Sequence, residues 1–357
     1  MNKNILIFLS LVEISNKKLD KIMDIVEREE IKEIREVVDN KEIVNLLSTN
    51  EFANLVKKCD DRLFNAYLSN LENDNIKVVT IEEAEYPEKL RYLDDAPLLL
   101  YCMGDISLLN TDAISIVGTR MPSNYGKFVT EKFAGALASA GLTVVSGLAY
   151  GVDAISHRKT LEVNGKTIAV LGGGLNHIYP EANANLASEI IEKGLLISEY
   201  PPFAKPTKYT FPLRNRIIAG LSLGTLITEA GKKSGTIHTK EYALEYGRDV
   251  FAVPGNINSL KSELPNSLIR SAQAECVLDP EDILSRYNIK GVKNMAKAVE
   301  VSLDEATILK LLEDGEQDFD ELSKKSKLPT NILNSCLTTL EIRGIIKRMP
   351  AKTYMLS

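Results

Sequence analysis

The sequence holds no cysteine pair to build on. Its four cysteines, Cys59, Cys102, Cys276 and Cys336, are scattered over 357 residues, and its three histidines form no cluster beside them. That pattern excludes a disulfide framework and a zinc site of the CxxC type, and reads as reduced thiols. No apolar run approaches the ~18 residues that a helical membrane span requires. The run at 5–12 is at the short end for a signal-peptide core, is interrupted by Glu13, and no small-x-small cleavage site follows it. The compartment expected is the cytoplasm, without a membrane partner. A formal net charge of −6 excludes a chain that is basic throughout. No GxGxxG follows the first central strand, which counts against a dinucleotide. Gly165-Lys166-Thr167 is no phosphate loop either, because Thr160 stands where the leading glycine belongs and a strand follows instead of a helix. No cofactor, no metal and no catalytic group is expected.

What is present is organised in blocks. A length of 357 residues predicts two or three domains. In residues 1–75 apolar side chains recur at helical spacing, as in Leu19, Ile22, Ile25 and Val26 or Leu63, Tyr67, Leu68 and Leu71. This block is read as a small helical accessory domain, and the Lys/Glu alternation of 17–42 as a solvated helix face. Residues 76–110 read as a connector, with a short strand at 76–79 and an apolar run at 96–101. From residue 111 to 287 short apolar strands alternate with amphipathic helices. The strands fall at 113–117, 142–145, 167–171, 195–197, 225–227 and 250–253, and glycines 141, 165, 194 and 247 sit where helices should end. That alternation predicts a doubly wound, extended Rossmann-like α/β parallel sheet, whose ligands lie at the carboxyl ends of the strands. Residues 288–300 read as a linker. In 301–357, Ser302 with Glu305 fits a capping box, and three helices (to 312, 318–325 and 330–343, the last ending at Gly344) precede a hairpin at 345–348 and 353–356. This is the order of a winged helix, though its third helix carries little positive charge for reading DNA.

The chain is organised around residues 211–239. Two arginines flank Asn215, an apolar helix leads into a buried strand, and a glycine-rich turn opens a second helix near Thr236. Unpaired N–H groups at such a turn suit an oxyanion or phosphate. The surrounding stretch 202–248 holds eight Lys and Arg against three Asp and Glu, opposite to the global sign. The other strand ends are rich in glycine too. The candidates for phosphate contact are Gly118, Thr119 and Arg120 after the first strand, Ser146 and Gly147 after the second, and Gly173 after the third. Lys208, Phe211, Arg214, Asn215 and Arg216 follow, then Lys232, Lys233, Ser234, Gly235 and Thr236. Lys208 and Phe211 are read in an extended, Pro-bounded segment, the phenylalanine exposed to stack a base. Of Arg214 and Arg216, one should face the ligand and the other brace the turn. Asp153 and His157 share a helix face, but without a nucleophile or metal they read as a structural pair. His177 and His238 are equally unsupported as catalysts.

With these segments in hand, the chain resembles the DprA/Smf family of bacterial DNA-processing proteins. The matching runs are SIVGTR from Ser115, VSGLAYGVDAISH from Val145, TIAVLGGGLNHIYP from Thr167, SEYPP from Ser198, FPLRNRIIAGLS from Phe211, SGTIHT from Ser234 and VFAVPGN from Val250. They keep the family order over residues 76–287, and the terminal block is similar to the family's winged helix. The N-terminal helices fill the place of its small SAM-like domain with little resemblance in sequence. The resemblance implies single-stranded DNA binding along the strand-end rim, homodimerisation through the α/β domain and handover to RecA. Arg120, Lys208 and Phe211 take DNA-contacting positions, and Ser234-Gly235-Thr236 the phosphate-holding turn. The alternative reading is an enzyme: Gly224-Thr225…Glu229 distantly resembles phosphoribohydrolases that cleave nucleoside monophosphates.

Overall fold

The computed structural model describes residues 2–12, 14–290, 302–313, 315–342, 345–349 and 353–356. Most of the expected linker, and the expected helix end at Arg343 and Gly344, lie outside them. The chain forms two compact units, residues 1–292 and 293–357.

The first unit opens with six helices: α1 (Lys3–Ser10), α2 (Asn16–Arg28), α3 (Ile34–Asp39), α4 (Lys41–Leu46), α5 (Thr49–Lys58) and α6 (Asp61–Asn73). Polar residues start several of them, since the first N–H groups of a helix have no partner within it. Asn40 caps α4, Ser48 and Glu51 form a capping box on α5, and Asp60 caps α6. Their apolar faces share a core with the sheet behind them, in which Phe8, Ile22 and Leu55 join Tyr101, Leu171 and Leu196.

That sheet has nine strands: β1 (Lys77–Thr80), β2 (Leu99–Gly104), β3 (Ala113–Val117), β4 (Thr143–Ser146), β5 (Thr167–Val170), β6 (Leu195–Ser198), β7 (Gly224–Ile227), β8 (Asp249–Ala252) and β9 (Glu275–Cys276). Their spatial order is β1-β2-β6-β5-β4-β3-β7-β8-β9. Strands β3 to β9 run parallel, and β2 pairs antiparallel with both β1 and β6. The central strands are buried along their whole length, as helix cover on both faces of a parallel sheet demands. The covering helices are α7 (Glu88–Arg91), α8 (Asn124–Ser139), α9 (Val152–Glu162), α10 (Ala184–Lys193), α11 (Thr210–Leu221), α12 (Thr236–Glu245), α13 (Glu263–Arg270) and α14 (Pro280–Arg286). The order reverses between β3 and β7, which opens a crevice above their carboxyl ends.

Three details depart from the sequence reading. The apolar run of the connector is strand β2, committed to the sheet by its hydrogen bonds to β6. Helix α11 begins at Thr210, so Phe211 sits in its first turn instead of an extended segment. Pro212 does not prevent this, because first-turn N–H groups lack intrahelical partners anyway. Of the four helix-ending glycines, Gly141 and Gly247 adopt positive φ (94° and 64°), but after α9 the left-handed residue is Asn164 (φ 57°). Gly194 is extended and close-packed instead, since a Cβ there would lie 2.4 Å from the Thr167 carbonyl oxygen.

The second unit has helices α15 (Leu303–Glu313), α16 (Phe319–Ser326) and α17 (Thr330–Ile342), with β10 (Gln317–Asp318), β11 (Ile346–Met349) and β12 (Thr353–Leu356) in the order β10-β12-β11. Ser302 and Glu305 form the expected reciprocal cap. The helices and the hairpin close on one small core, to which Ile308, Leu312, Leu322, Leu337 and Tyr354 contribute. This is a winged helix, with the short strand β10 added to the expected hairpin.

Candidate nucleic-acid interface

The crevice above β3 and β7 is an open cleft of about 950 Å3. Three loops are locked together to form its floor. The Thr119 N–H donates to the Glu229 carbonyl at 2.7 Å, tying the loop after β3 to the loop after β7. The Val152 N–H donates to the Thr119 carbonyl at 3.2 Å, tying it to the loop after β4. Gly151 makes that approach possible: its φ is +74°, and a Cβ would stand 2.4 Å from the Thr119 oxygen.

Arg120, Lys208 and Lys233 line this one cleft from the loops after β3, β6 and β7. All three are exposed, and none has an acidic partner among the described residues. Gly118, Thr119, Phe211, Arg214, Asn215, Ser234, Gly235 and Thr236 line it as well. Ser234 and Gly235 lead into the amino terminus of α12, where the Ser234 hydroxyl accepts from the Thr236 N–H at 3.3 Å. Asn215 joins α11 to that turn: its Oδ1 accepts from Arg214 Nε at 3.2 Å, and its Nδ2 reaches the Gly235 carbonyl at 3.5 Å. Cations at separate loop tips with a helix amino terminus between them form an anion-binding surface.

The two arginines divide the labour. Arg214 lies in the cleft floor, 5% exposed, and donates to the carbonyls of Gly147 (2.8 Å) and Val170. Burial pulls its guanidinium down to about 10, so it remains a cation at neutral pH, with Asp153 opposing the shift. Burial pushes the Asp153 carboxyl up, against the pull of Arg214 and of the Ala149 and Gly147 N–H groups. Arg216 points away from the cleft into an ion pair with Glu199, with Asp95 3.7 Å from its Nε. It is the brace.

Several sequence candidates are placed out of a ligand's reach. Ser146 is wholly buried and donates to the Ile116 carbonyl at 2.7 Å. The carbonyl of Gly147 serves Arg214, and its N–H serves Asp153 at 3.2 Å. Gly173 is buried under Pro206, 2.8 Å from where its Cβ would be, so this glycine seats the segment carrying Lys208 and does not meet a ligand. Lys232 is exposed but outside the cleft wall that Lys233 joins. Phe211 is half-buried, with its ring centroid 5.6 Å from that of Tyr179. His157 bonds to Thr167 at 2.7 Å and not to Asp153.

Tyr179, Thr207 and His238 also line the cleft, and sequence reasoning gives none of them a place in it. Tyr179 has a legible signal, an aromatic residue in a strand-end loop; the other two have none.

Comparison with known proteins places these features in a family. Residues 77–288 match the family model for DNA recombination-mediator protein A, and residues 293–352 match that for the DprA winged helix domain. The chain is 37% identical over 291 residues to protein Smf of Escherichia coli, covering 78% of this chain and 77% of that protein. It is 39% identical over 227 residues to the DNA processing protein DprA of Bacillus subtilis, covering 63% and 76%. Its fold is similar to the X-ray structure of DprA from Streptococcus pneumoniae (TM-score 0.69, 35% identity, 80% of this chain and 98% of that one). It is also similar to a structure of DNA processing protein A from Helicobacter pylori whose subject is the single-stranded DNA binding mode of that protein (TM-score 0.54, 34% identity, 59% and 96%).

Proposed function

The chain belongs to the DNA recombination-mediator protein A family, and on that basis we propose that its strand-end cleft binds single-stranded DNA. One observation carries the reading: Arg120, Lys208 and Lys233, from three separate loops, converge with Phe211 on one cleft. Three cations without an acidic partner among the described residues neutralise backbone phosphates without regard to sequence, and an aromatic ring stacks any base. The α12 amino terminus adds the positive end of its helix dipole, although its first N–H groups, those of Thr236, Ile237 and His238, are held by Ser234 and Gly235.

In this reading the protein is a recombination mediator. It protects incoming or exposed single-stranded DNA, as in natural transformation, and loads RecA on it in the cytoplasm. It acts as a homodimer through the α/β domain of residues 111–287, with residues 1–75 as an accessory helical domain, 76–110 as a connector, 288–300 as a linker and 301–357 as the winged helix. The role proposed is binding without chemistry. The phosphoribohydrolase alternative depends on Glu229, which is 2% exposed and accepts from the Ser123 N–H (2.8 Å) and hydroxyl (2.6 Å) at the start of α8. A carboxylate so enclosed is poorly placed to assist the cleavage of a nucleotide.

The test is a titration of the whole protein with single-stranded, double-stranded and mononucleotide ligands. Affinity that rises over several nucleotides of single strand and falls steeply with salt supports the reading. Release of free base from a nucleoside monophosphate, with no preference for longer strands, would replace it with the enzyme.

A further inference from the structure

The cleft carries two aromatic rings, and the chemistry so far uses one. Phe211 packs on the loop after β5, where a Cβ on Gly172 would come within 2.9 Å of its Cδ1, so that side of the ring is closed. Tyr179, from the same loop, meets Phe211 with centroids 5.6 Å apart and 45° between ring planes. It lines the cleft beside Phe211, yet 52% of it is exposed. An aromatic pair of this geometry is attractive in itself. A base between the rings would need two contact gaps of about 3.5 Å each and parallel planes, so the pair cannot be intercalated as it stands. Each ring can take a base only on its open side. The Tyr179 hydroxyl makes no hydrogen bond among the described residues, unlike Tyr86, whose buried hydroxyl donates to the Pro97 carbonyl at 2.6 Å. Tyr179 therefore meets Phe211 at a tilt and leaves about half of its surface open, which is the arrangement of a stacking platform.

We propose that Tyr179 holds a second base of the bound strand, next to the base on Phe211, so that the two rings form a two-base step. The inference rests on the single-stranded DNA reading above. It also assigns the glycine run after β5 a purpose: Gly172 lets Phe211 lie low enough for the neighbouring ring to be reached. Because Tyr179 is uncharged, its contribution adds nothing to counterion release and appears as affinity that salt does not modulate.

The experiment compares wild type, Tyr179→Ala, Tyr179→Phe, Phe211→Ala and the double alanine variant by fluorescence anisotropy. The ligands are a labelled oligothymidylate and a strand of equal length made of abasic deoxyribose phosphates. Tyr179→Ala should weaken oligothymidylate binding by roughly five- to 150-fold, the range for loss of one stacked base. Tyr179→Phe should restore affinity to within about twofold. Affinity for the abasic strand should stay unchanged in Tyr179→Ala, and the loss on oligothymidylate should persist in the Phe211→Ala background. Equal losses on both strands would make Tyr179 a backbone-shaping residue and overturn the proposal. So would the absence of any further loss in the Phe211→Ala background, since Tyr179 would then only prop its neighbour. Wild-type protein that binds neither strand removes the DNA reading itself. Wild-type binding with Tyr179→Ala unaffected removes only the second platform.

Discussion

The Arg214 guanidinium occupies the space a side chain at residue 147 would need. Its Nη atoms and Cζ lie 2.6 to 2.7 Å from where a Cβ on Gly147 would be, and one nitrogen donates to the Gly147 carbonyl at 2.8 Å. The guanidinium cannot swing aside without abandoning two carbonyls in a buried site. Gly147→Ala should therefore destabilise the first unit by about 1–3 kcal/mol through overpacking. The midpoint of urea unfolding measures this, and an unchanged midpoint would show that the cleft floor yields.

Arg216 should behave differently from the cleft-facing cations. Its partner Glu199 has a side chain only 10% exposed, so Arg216→Met strands a buried carboxylate and should cost about 3–5 kcal/mol. The salt dependence of DNA binding by the folded fraction should stay at the wild-type value. A reduced slope would mean that Arg216 reaches the phosphates after all.

Arg120→Ala and Lys208→Ala should each leave the thermal midpoint unchanged, because both side chains are exposed and carry no acidic partner among the described residues. Each should weaken single-strand binding at moderate salt and lower the log–log salt slope by about 0.7, the value for one phosphate contact on a single strand. Phe211→Ala should weaken binding by about 1–3 kcal/mol with the slope intact. Unchanged affinity in both cation variants by gel shift would remove the proposed site.

His157 sets an acid limit on stability. Its Nδ1–H donates to the Thr167 hydroxyl, which in turn donates to the Val144 carbonyl, and its Nε2 has no partner among the described residues. Burial, with Arg214 and Arg158 nearby, lowers its pKa from 6.5 to about 3. The unfolded chain then binds the proton more tightly. The stability tied to the neutral ring is full above pH ~6.5 and falls by about 1.4 kcal/mol per pH unit as the pH drops toward 3. Urea unfolding of wild type and His157→Gln between pH 7 and 4.5 checks this. The variant should lose the slope that wild type shows, and parallel curves would place the acid sensitivity elsewhere.

The strand-end cleft could be read in the sequence because a parallel sheet puts every carboxyl end on one edge. Once the apolar runs at 113–117, 195–197 and 225–227 are strands joined by helices, Arg120, Lys208 and Ser234 have to sit on one rim. The function of each rim glycine could not be read the same way. Gly118, Gly151, Gly172 and Gly173 look alike in sequence, but the structure uses them for close packing among loops. The capping box at Ser302 and Glu305 was legible because its partners are three residues apart. The pairing of β2 with β6 was not, because those strands are distant in the chain and the pairing is a matter of edges meeting in space.

The order of the central strands and helices, their parallel direction and the rim that carries the charge were written in the chain, since they follow from local periodicity and the handedness of strand–helix–strand connections. It took packing in three dimensions to turn Arg214 to the cleft and Arg216 to its buried ion pair, to close Ser146 and Gly173 to a ligand, and to stand Tyr179 beside Phe211. Neighbours along a helix differ in nothing but the direction of their side chains. What they meet is set by loops folded over them from distant parts of the chain.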